Sequence, residues 1–168
     1  MVKFLKIRNV KNPERREGDA GFDVYVPELT EQFLNDIKAK NLDIDISIDG
    51  IKVGPGEAVN IPTGLKTKFP PNIALEANNK SGVATKKKLV YGASVVDSSY
   101  QGEIHAHVIN VGTDVQLIKY GEKIVQFIPR LIDTDCHEVY ENMTDEEFYE
   151  GIQTERGAGA FGSTGIGV

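Results

Sequence analysis

Residues 61–77 read IPTGLKTKFPPNIALEA, and this stretch indicates the fold class. Its apolar or β-branched side chains recur at every second position: Leu65, Thr67 and Phe69, then Ile73, Leu75 and Ala77. A period of two is typical of a β-strand with one buried face. Prolines and glycine before and after the first run mark turns. The stretch therefore predicts two short strands joined by a tight turn.

The same period continues on both sides of this stretch. It recurs at Ile44, Ile46 and Ile48, and again at Ile104, Ala106 and Val108. Further turn signals follow at short intervals: Gly54-Pro55-Gly56, Val111-Gly112-Thr113 and Tyr120-Gly121. Short strands separated by frequent turns are typical of a sandwich or a barrel. We therefore predict an all-β fold.

Three segments depart from this pattern. Apolar residues at helical spacing predict one short helix over Glu28–Lys40. Thr144 and Glu147 have the spacing of a capping box, which predicts one or two helical turns. Residues 156–168 read RGAGAFGSTGIGV and offer almost nothing to a core. We therefore predict a single β domain over residues 1–155, followed by a flexible C-terminal arm over residues 156–168.

Composition limits the partners and the compartment. The 168 residues include 19 Lys and Arg against 25 Asp and Glu, for a net charge of -6. This balance argues against a nucleic-acid groove and against a basic membrane face. The single cysteine, Cys136, excludes an intrachain disulfide, and no apolar run approaches the ~20 residues of a membrane helix. The N-terminal residues lack the pattern of a signal peptide, so we predict a cytoplasmic protein without nucleic-acid or membrane partners.

A polar turn follows the second predicted strand of the opening stretch. Lys80, Ser81 and Gly82 provide a cation, a hydroxyl and backbone N–H groups, which together can bind a phosphate. On its own this evidence is weak, because such residues in a loop more often form only a turn. The P-loop spacing of glycines is missing, so this motif is not a P-loop.

Residues 92–103 read GASVVDSSYQGE and suggest a hairpin whose tip presents Asp97 and Tyr100 together. A carboxylate in this position can act as a general base that activates water, and the aromatic ring can support a flat ligand. On the alternative interpretation, Asp97 forms the turn and Tyr100 packs into the core. The C-terminal arm combines Arg156, Phe161, Ser163 and Thr164 with glycines, a composition that can close over a nucleotide or remain a disordered end.

Five segments, taken in order, resemble the motifs of the trimeric dUTPases. They are Asp19–Tyr25, Lys80–Gly82, Val95–Gly102, Gly121–Gln126 and Arg156–Gly165. The resemblance implies a jelly-roll-like β subunit in a homotrimer, with active sites shared between subunits. It also implies hydrolysis of dUTP to dUMP and pyrophosphate with Mg²⁺.

The resemblance further implies a role for each matching position. Asp97 would deprotonate the water that attacks the α-phosphorus, and Tyr100 would pack against the deoxyribose so that a 2′-hydroxyl does not fit. Backbone groups around Ser94, Val95 and His105 would bind the edge of uracil. Phosphates would be held by Lys80, Ser81 and Gly82, and the lid would consist of Arg156, Phe161, Gly162, Ser163 and Thr164. Asp23 and Gln126 would meet the metal only through water.

The chain departs from the family pattern at several positions. Lys80 stands where the family usually has arginine, and lysine cannot make the planar two-pronged contact. Ser94 and Ala160 replace glycines, so each adds a Cβ to a segment that needs backbone freedom. Residues 28–50 are longer than the family usually carries, and this insertion is a candidate surface for a protein partner.

Two alternative functions are considered. The related dCTP deaminases resemble this fold but carry a catalytic glutamate ten residues after the hairpin aspartate, where this chain has His107. A nucleotide-gated scaffold is the second alternative, although such a scaffold would not need Asp97, Arg156 and Phe161 together. His105 and His107 are predicted to be surface or interface residues, because no Cys, Asp or Glu accompanies them at metal-ligand spacing.

Overall fold

A computed structural model describes residues 1–41, 43–155 and 157. The chain divides into two compact units, Met1–Thr134 and Asp135–Val168. The strands of the described residues all lie in the first unit: β1 Lys3–Lys6, β2 Phe22–Tyr25, β3 Ile46–Ser47, β4 Gly50–Val53, β5 Ala58–Pro62, β6 Leu65–Lys68, β7 Ile73–Asn78, β8 Leu89–Tyr91, β9 Val95–Val96, β10 His105–Asn110, β11 Gln116–Ile118 and β12 Lys123–Leu131. The helices are α1, Glu31–Lys40, and α2, Asp145–Phe148, and a π-helical turn covers Val83–Lys87.

The strands form four antiparallel sheets. The largest has the order β2-β12-β7-β9, and two three-stranded sheets have the orders β5-β10-β8 and β11-β4-β3. The remaining sheet pairs β1 with β6. This arrangement confirms the predicted all-β, jelly-roll-like fold. The predicted domain boundary at residues 155 and 156 stays a prediction.

The core of the first unit comes from the alternating positions that the sequence marks. Leu75 and Ala77 of β7 are buried, as are Ala106 and Val108 of β10. In β10 the register sets Ala106 opposite Ile61 of β5, so the buried faces of both strands coincide. The two short runs of residues 61–77 are therefore confirmed as β6 and β7, separated by the turn at Pro70-Pro71-Asn72.

Helix α1 is confirmed, but it begins at Glu31 and not at Glu28. The Thr30 side chain accepts a hydrogen bond from the Phe33 N–H at 3.2 Å and caps the helix. Glu28 instead donates its N–H to the Asn9 carbonyl at 2.9 Å, which keeps the preceding backbone extended. Phe33 and Ile37 point into the core and are almost fully buried. The role of residues 28–50 as a partner surface stays a prediction.

The strand expected from Ile44 to Ile48 is shorter than predicted. Only Ile46 and Ser47 pair with β4, and Ile48 is exposed in the turn that follows. The turn leads into Gly50, where a Cβ would lie 2.5 Å from Leu117 Cδ1. Because Ile48 and Asp49 form the tight turn that lets Ser47 pair with Gly50, the alternation ends earlier than the isoleucine spacing indicates.

The second unit contains helix α2, where the predicted capping box is confirmed. The Thr144 hydroxyl accepts from the Glu147 N–H at 3.3 Å, and the Glu147 carboxylate accepts from the Thr144 N–H at 2.8 Å. Of the helices described, even the longest has ten residues, and none has the length and apolar character needed to cross a membrane.

Candidate active site

A small cleft opens between residues 91–97 and residues 100–105. Its volume is about 200 Å³, and its walls consist of Tyr91, Ala93, Val95, Val96, Asp97, Tyr100, Ile104 and His105. Four residues predicted to belong to the site therefore lie together: Val95, Asp97, Tyr100 and His105. Asp97 is the one carboxylate among these lining residues. The cleft thus combines a possible base with apolar and aromatic walls.

The hairpin predicted over residues 92–103 is wrong as a strand pair, because β9 pairs with β7 whereas β10 pairs with β5 and β8. The turn that follows β9 nevertheless fixes the position of Tyr100. Its N–H donates to the Asp97 carbonyl at 3.1 Å, and its hydroxyl donates to the Glu103 carbonyl at 3.0 Å. A Cβ on Gly102 would lie 2.3 Å from the Tyr100 hydroxyl oxygen, so the ring occupies space that only a glycine leaves open. The ring is 44% exposed and is available to a ligand in the cleft.

Ser94 lies next to this cleft but is engaged with the sheet. Its carbonyl accepts the Ala77 N–H at 2.6 Å, which extends the pairing of β9 with β7. The neighbouring Val95 lines the cleft, whereas Ser94 is not among the lining residues. The Ser94 carbonyl therefore bonds to β7 instead of facing a ligand.

Tyr91 is a cleft residue that the sequence reasoning missed. Its hydroxyl donates to the His105 carbonyl at 2.8 Å, and its N–H donates to Asn79 Oδ1 at 2.6 Å. Burial of the ring raises the pKa of Tyr91 to about 12, so the phenol stays protonated and continues to donate. No local pattern marks this residue, because both of its partners are more than ten positions away.

The two histidines of β10 have structural roles on the polar side of the strand. Burial of the ring, followed by the nearby charge of Lys40, lowers the pKa of His105. His107 Nδ1 accepts the Ala93 N–H at 3.2 Å, and a Cβ on Gly92 would lie only 2.0 Å from that nitrogen. His107 therefore holds Gly92 and Ala93 against β10.

A second cluster of predicted residues lies on the large sheet. The register of β12 sets Gln126 opposite Asp23 of β2 and opposite Asn78 of β7. Asp23 forms ion pairs with Lys80 and, at 2.9 Å, with Lys123. Burial opposes the charge of Asp23, but hydrogen bonds from the two lysines outweigh it and lower the pKa of its carboxyl. The structure thus brings Asp23, Lys80 and Gln126 together.

The rest of the predicted phosphate-binding motif, Ser81 and Gly82, forms the turn after β7. Ser81 precedes the π-helical turn, and its carbonyl accepts from the Thr85 hydroxyl at 2.6 Å. Gly82 caps the same turn, and a Cβ placed there would meet no atom of the described chain within 4 Å. The space beside Gly82 is therefore open.

Direct binding of Mg²⁺ by these residues would require side-chain oxygen atoms that can coordinate the ion. Both carboxylate oxygens of Asp23 already contact lysines, and among the described residues no group of three or more His, Cys, Asp and Glu side chains could hold a metal ion. Mg²⁺ commonly keeps several waters and binds phosphates together with few protein groups. The residues therefore fit a hydrated ion carried by a phosphate ligand, and they do not fit direct coordination by Asp23.

Asp97 and Lys80 lie toward opposite ends of β7, although Tyr91 on the cleft wall bonds to Asn79 beside Lys80. Because Val96 pairs with Leu75 in antiparallel register, Asp97 follows on opposite Ala74, whereas Lys80 lies two residues beyond the end of β7. Lys80 and Asp97 therefore do not face one another along β7. The predicted lid residues Arg156, Phe161, Gly162, Ser163 and Thr164 lie outside the described residues.

Comparison with known proteins places this fold in a family. A family model described as dUTPase matches residues 37–165. The Clostridium kluyveri deoxyuridine 5'-triphosphate nucleotidohydrolase is 32% identical over 151 residues, which cover 89% of this chain and 85% of the relative. Its counterpart in Desulfitobacterium hafniense is 36% identical over 137 residues, which cover 76% of this chain and 82% of the relative.

Solved structures agree on the fold. The Staphylococcus bacteriophage 80alpha dUTPase with dUPNHPP superimposes with a TM-score of 0.69 at 20% identity, covering 99% of each chain. The native EIAV dUTPase gives a TM-score of 0.63 at 24% identity, covering 86% of this chain and 99% of that chain. The chain belongs to the dUTPase family.

Proposed function

We propose that this chain hydrolyses dUTP to dUMP and pyrophosphate, with Asp97 activating the attacking water. The observation that carries the proposal is the position of Asp97 as the one carboxylate lining the cleft, beside Tyr100 and His105. Family membership and the names of the curated relatives support dUTP as the substrate.

The reaction needs one proton transfer and one displacement at phosphorus. Asp97 accepts a proton from water, the water oxygen forms a bond to the α-phosphorus, and the bond to the bridging oxygen of the β-phosphate breaks. Pyrophosphate then leaves with the electron pair of that bond. General bases of this kind typically contribute about 10²–10⁴-fold to the rate. The remaining acceleration comes from holding the water and the α-phosphorus in line.

Specificity for the deoxyribose is assigned to Tyr100. Its hydroxyl donates to the Glu103 carbonyl and its ring lies against Gly102, which places the ring where an added 2′-hydroxyl would meet it. Backbone groups of Val95 and His105 are available at the other side of the cleft for the edge of uracil. The Tyr91 hydroxyl fixes the His105 carbonyl and keeps this wall in place.

The triphosphate is proposed to reach the lysine cluster of a second copy. Lys80, Ser81 and Gly82 would hold phosphates there, because Asp97 lies beside Ala74 whereas Lys80 lies two residues past the other end of β7, so that one copy would present two half-sites. A homotrimer with shared sites joins the two half-sites across an interface. Arg156, Phe161, Gly162, Ser163 and Thr164 would then cover the bound nucleotide.

Mg²⁺ is the proposed cofactor, carried on the triphosphate. When bound, it would neutralise phosphate charge as the pyrophosphate leaves. Asp23 and Gln126 would hold it only through water, since the Asp23 carboxylate already contacts two lysines. The dUTPase of phage phi11 coordinates a structural Mg(II) ion, which supports a metal in this family.

The decisive variant is Asp97→Asn, compared with Asp114→Asn, an exposed carboxamide substitution away from the cleft. We expect Asp97→Asn to lose dUTP turnover by at least ~10²-fold while it still binds a non-hydrolysable dUTP analogue. Asp114→Asn should match the wild type in both measurements. Normal turnover by Asp97→Asn would contradict its role as the base. A wild-type protein that leaves dUTP intact in a panel with dCTP, dTTP and UTP would overturn the proposed function.

A further inference from the structure

Arg8 connects helix α1 to Glu103, which lies between the Asp97–Tyr100 turn and β10. Its Nη2 forms an ion pair with Asp36 of α1 at 2.8 Å, while its Nε and Nη2 contact the two carboxylate oxygens of Glu103 at 2.7 and 2.8 Å. The guanidinium also lies 5.4 Å from the centre of the Phe33 ring on the same helix. Such a two-pronged pair fixes both partners in orientation as well as in distance.

Glu103 extends this connection into the cleft. Its carboxylate accepts the Gly64 N–H at 2.8 Å, and its own carbonyl accepts the Tyr100 hydroxyl at 3.0 Å. The Glu103 side chain is largely buried, with an exposed fraction of 12%. A displacement of Glu103 would therefore move the aromatic wall of the cleft.

Lys40 makes a second connection, from the last turn of α1 to His105. Its Nζ lies 2.6 Å from His105 Nε2. An ammonium has only donors, so Nε2 must accept, and the ring is neutral with its proton on Nδ1. The charged groups around this ring are Lys40, Glu103 and Arg8, and burial together with Lys40 lowers its pKa. The contact therefore keeps one tautomer at the wall that carries the proposed uracil contacts.

The helix is well fixed as a support. Phe33 and Ile37 are buried in the core, and Asn41 at the end of the helix bonds to both Asn60 backbone groups, at 2.8 and 3.1 Å. Helix α1 thus has a firm attachment to β5 on one side and two polar contacts to the cleft wall on the other.

We propose that helix α1 positions the cleft for the nucleoside, with Asp36 acting through Arg8 on Glu103, and Lys40 acting directly on His105. Asp36, Arg8, Glu103 and Lys40 are positioning residues, because none of these four lines the cleft, whereas His105 does. The inference rests on the proposed function for its kinetic consequence, but the positioning itself is a property of the free protein. On this proposal, helix α1 within residues 28–50 contributes to substrate binding in the cleft of its own chain.

The kinetic test uses Lys40→Ala, with Lys38→Ala as its matched control. Lys38 lies in the same last turn, is exposed, and has no polar partner in the part of the chain that the structure describes. We expect Lys40→Ala to raise the KM for dUTP about 3- to 10-fold with kcat within about twofold, as for a lost, partly exposed polar contact. Lys40→Arg should restore most of the KM. Asp36→Asn should raise the KM similarly, while Glu31→Gln on the same helix should not.

A spectroscopic test is independent of turnover. In the free protein, the NMR signals of the Val95 and His105 amides should shift in Lys40→Ala and Asp36→Asn but not in Lys38→Ala or Glu31→Gln. The pKa of the His105 ring should rise in Lys40→Ala, because the neighbouring positive charge is removed. Unshifted amides would overturn the positioning role whatever the enzyme hydrolyses. If the amides shift in these variants but the wild-type protein does not hydrolyse dUTP, only the proposed function is overturned.

A KM increase that accompanies an equal loss of thermal stability in both lysine variants would also contradict the inference. It would mean that the helix merely supports folding. Our account requires the Lys40→Ala effect on KM at a melting temperature within about 2 °C of the control.

Discussion

Replacing Gly102 with alanine would place a methyl group against Tyr100. The added Cβ would lie 2.3 Å from the Tyr100 hydroxyl oxygen and 2.5 Å from Cζ. Ordinary contacts between such atoms are about 3.5–4.0 Å, so the ring must retreat by roughly 1 Å or more. The ring is partly exposed, and it can swing outward without disturbing the core.

The effects on stability and on activity should therefore differ in size. The hydrogen bond from Tyr100 to the Glu103 carbonyl is lost at an exposed site, which costs about 1 kcal/mol, or about 2–4 °C in melting temperature for a chain of this length. A misplacement of about 1 Å at a site of reaction can cost on the order of 10²-fold in rate. We expect kcat/KM for dUTP to fall by about that factor, and the preference for dUTP over UTP to shrink.

The assay measures kcat/KM for dUTP and UTP by pyrophosphate release, alongside thermal unfolding. Tyr100→Phe is the matched control, because it removes the same hydrogen bond but leaves the ring and Gly102 in place. It should lose about the same stability and retain most of the discrimination against UTP. A Gly102→Ala variant with wild-type kcat/KM and wild-type discrimination would refute the assignment of Tyr100 to the sugar.

Three further predictions concern the stability of the first unit. Gly21→Ala would place a Cβ 2.8 Å from the Phe127 carbonyl oxygen, and it should lower the free energy of unfolding by about 1–3 kcal/mol in urea; an unchanged midpoint would argue against this close approach. Asn110→Ala would remove three side-chain hydrogen bonds from a fully buried position, and it should cost about 2–4 kcal/mol in the same assay; a loss below about 0.5 kcal/mol would contradict it. The pKa of the Asp23 carboxyl is lowered from its usual 3.8, so its ion pairs stabilise the fold fully above that pH and are lost as the pH falls below it. Asp23→Asn should therefore make the free energy of unfolding depend less steeply on pH in the acid range. An unchanged acid dependence would exclude this contribution.

Local patterns in the sequence predict most of the strands and the turn that carries Asp97 and Tyr100, but not that β9 and β10 belong to different sheets. Leu75 and Ala77 of β7 are both buried, and their period-two spacing can be recognised from adjacent residues alone. Asp97 and Tyr100 are three positions apart, so a tight turn is sufficient to bring them together. The capping box at Thr144 is predictable for the same reason.

Local sequence patterns do not predict contacts between distant parts of the chain. The Arg8–Glu103 pair joins residues 95 positions apart, and the Lys40–His105 contact joins residues 65 positions apart. Nothing near Tyr91 in the sequence indicates that its hydroxyl supports the His105 carbonyl. These contacts depend on the order of strands in the sheets, which hydrophobic alternation does not encode.

The spacing of the motifs also conceals their separation in space. Lys80 and Asp97 are 17 residues apart in the chain, yet β7 and β9 run antiparallel and carry them to opposite ends. Only the strand register reveals that these two predicted site residues lie toward opposite ends of β7. The proposed homotrimer follows from that register together with the family resemblance.

Hydrolysis of dUTP in water enriched in ¹⁸O tests the central claim most directly. Water activated by Asp97 is proposed to attack the α-phosphorus, so the bond that breaks lies between that phosphorus and the bridging oxygen. Mass spectrometry of the products should then find one ¹⁸O in dUMP and none in pyrophosphate. Label in pyrophosphate, or no hydrolysis of dUTP in the presence of Mg²⁺, would contradict the account.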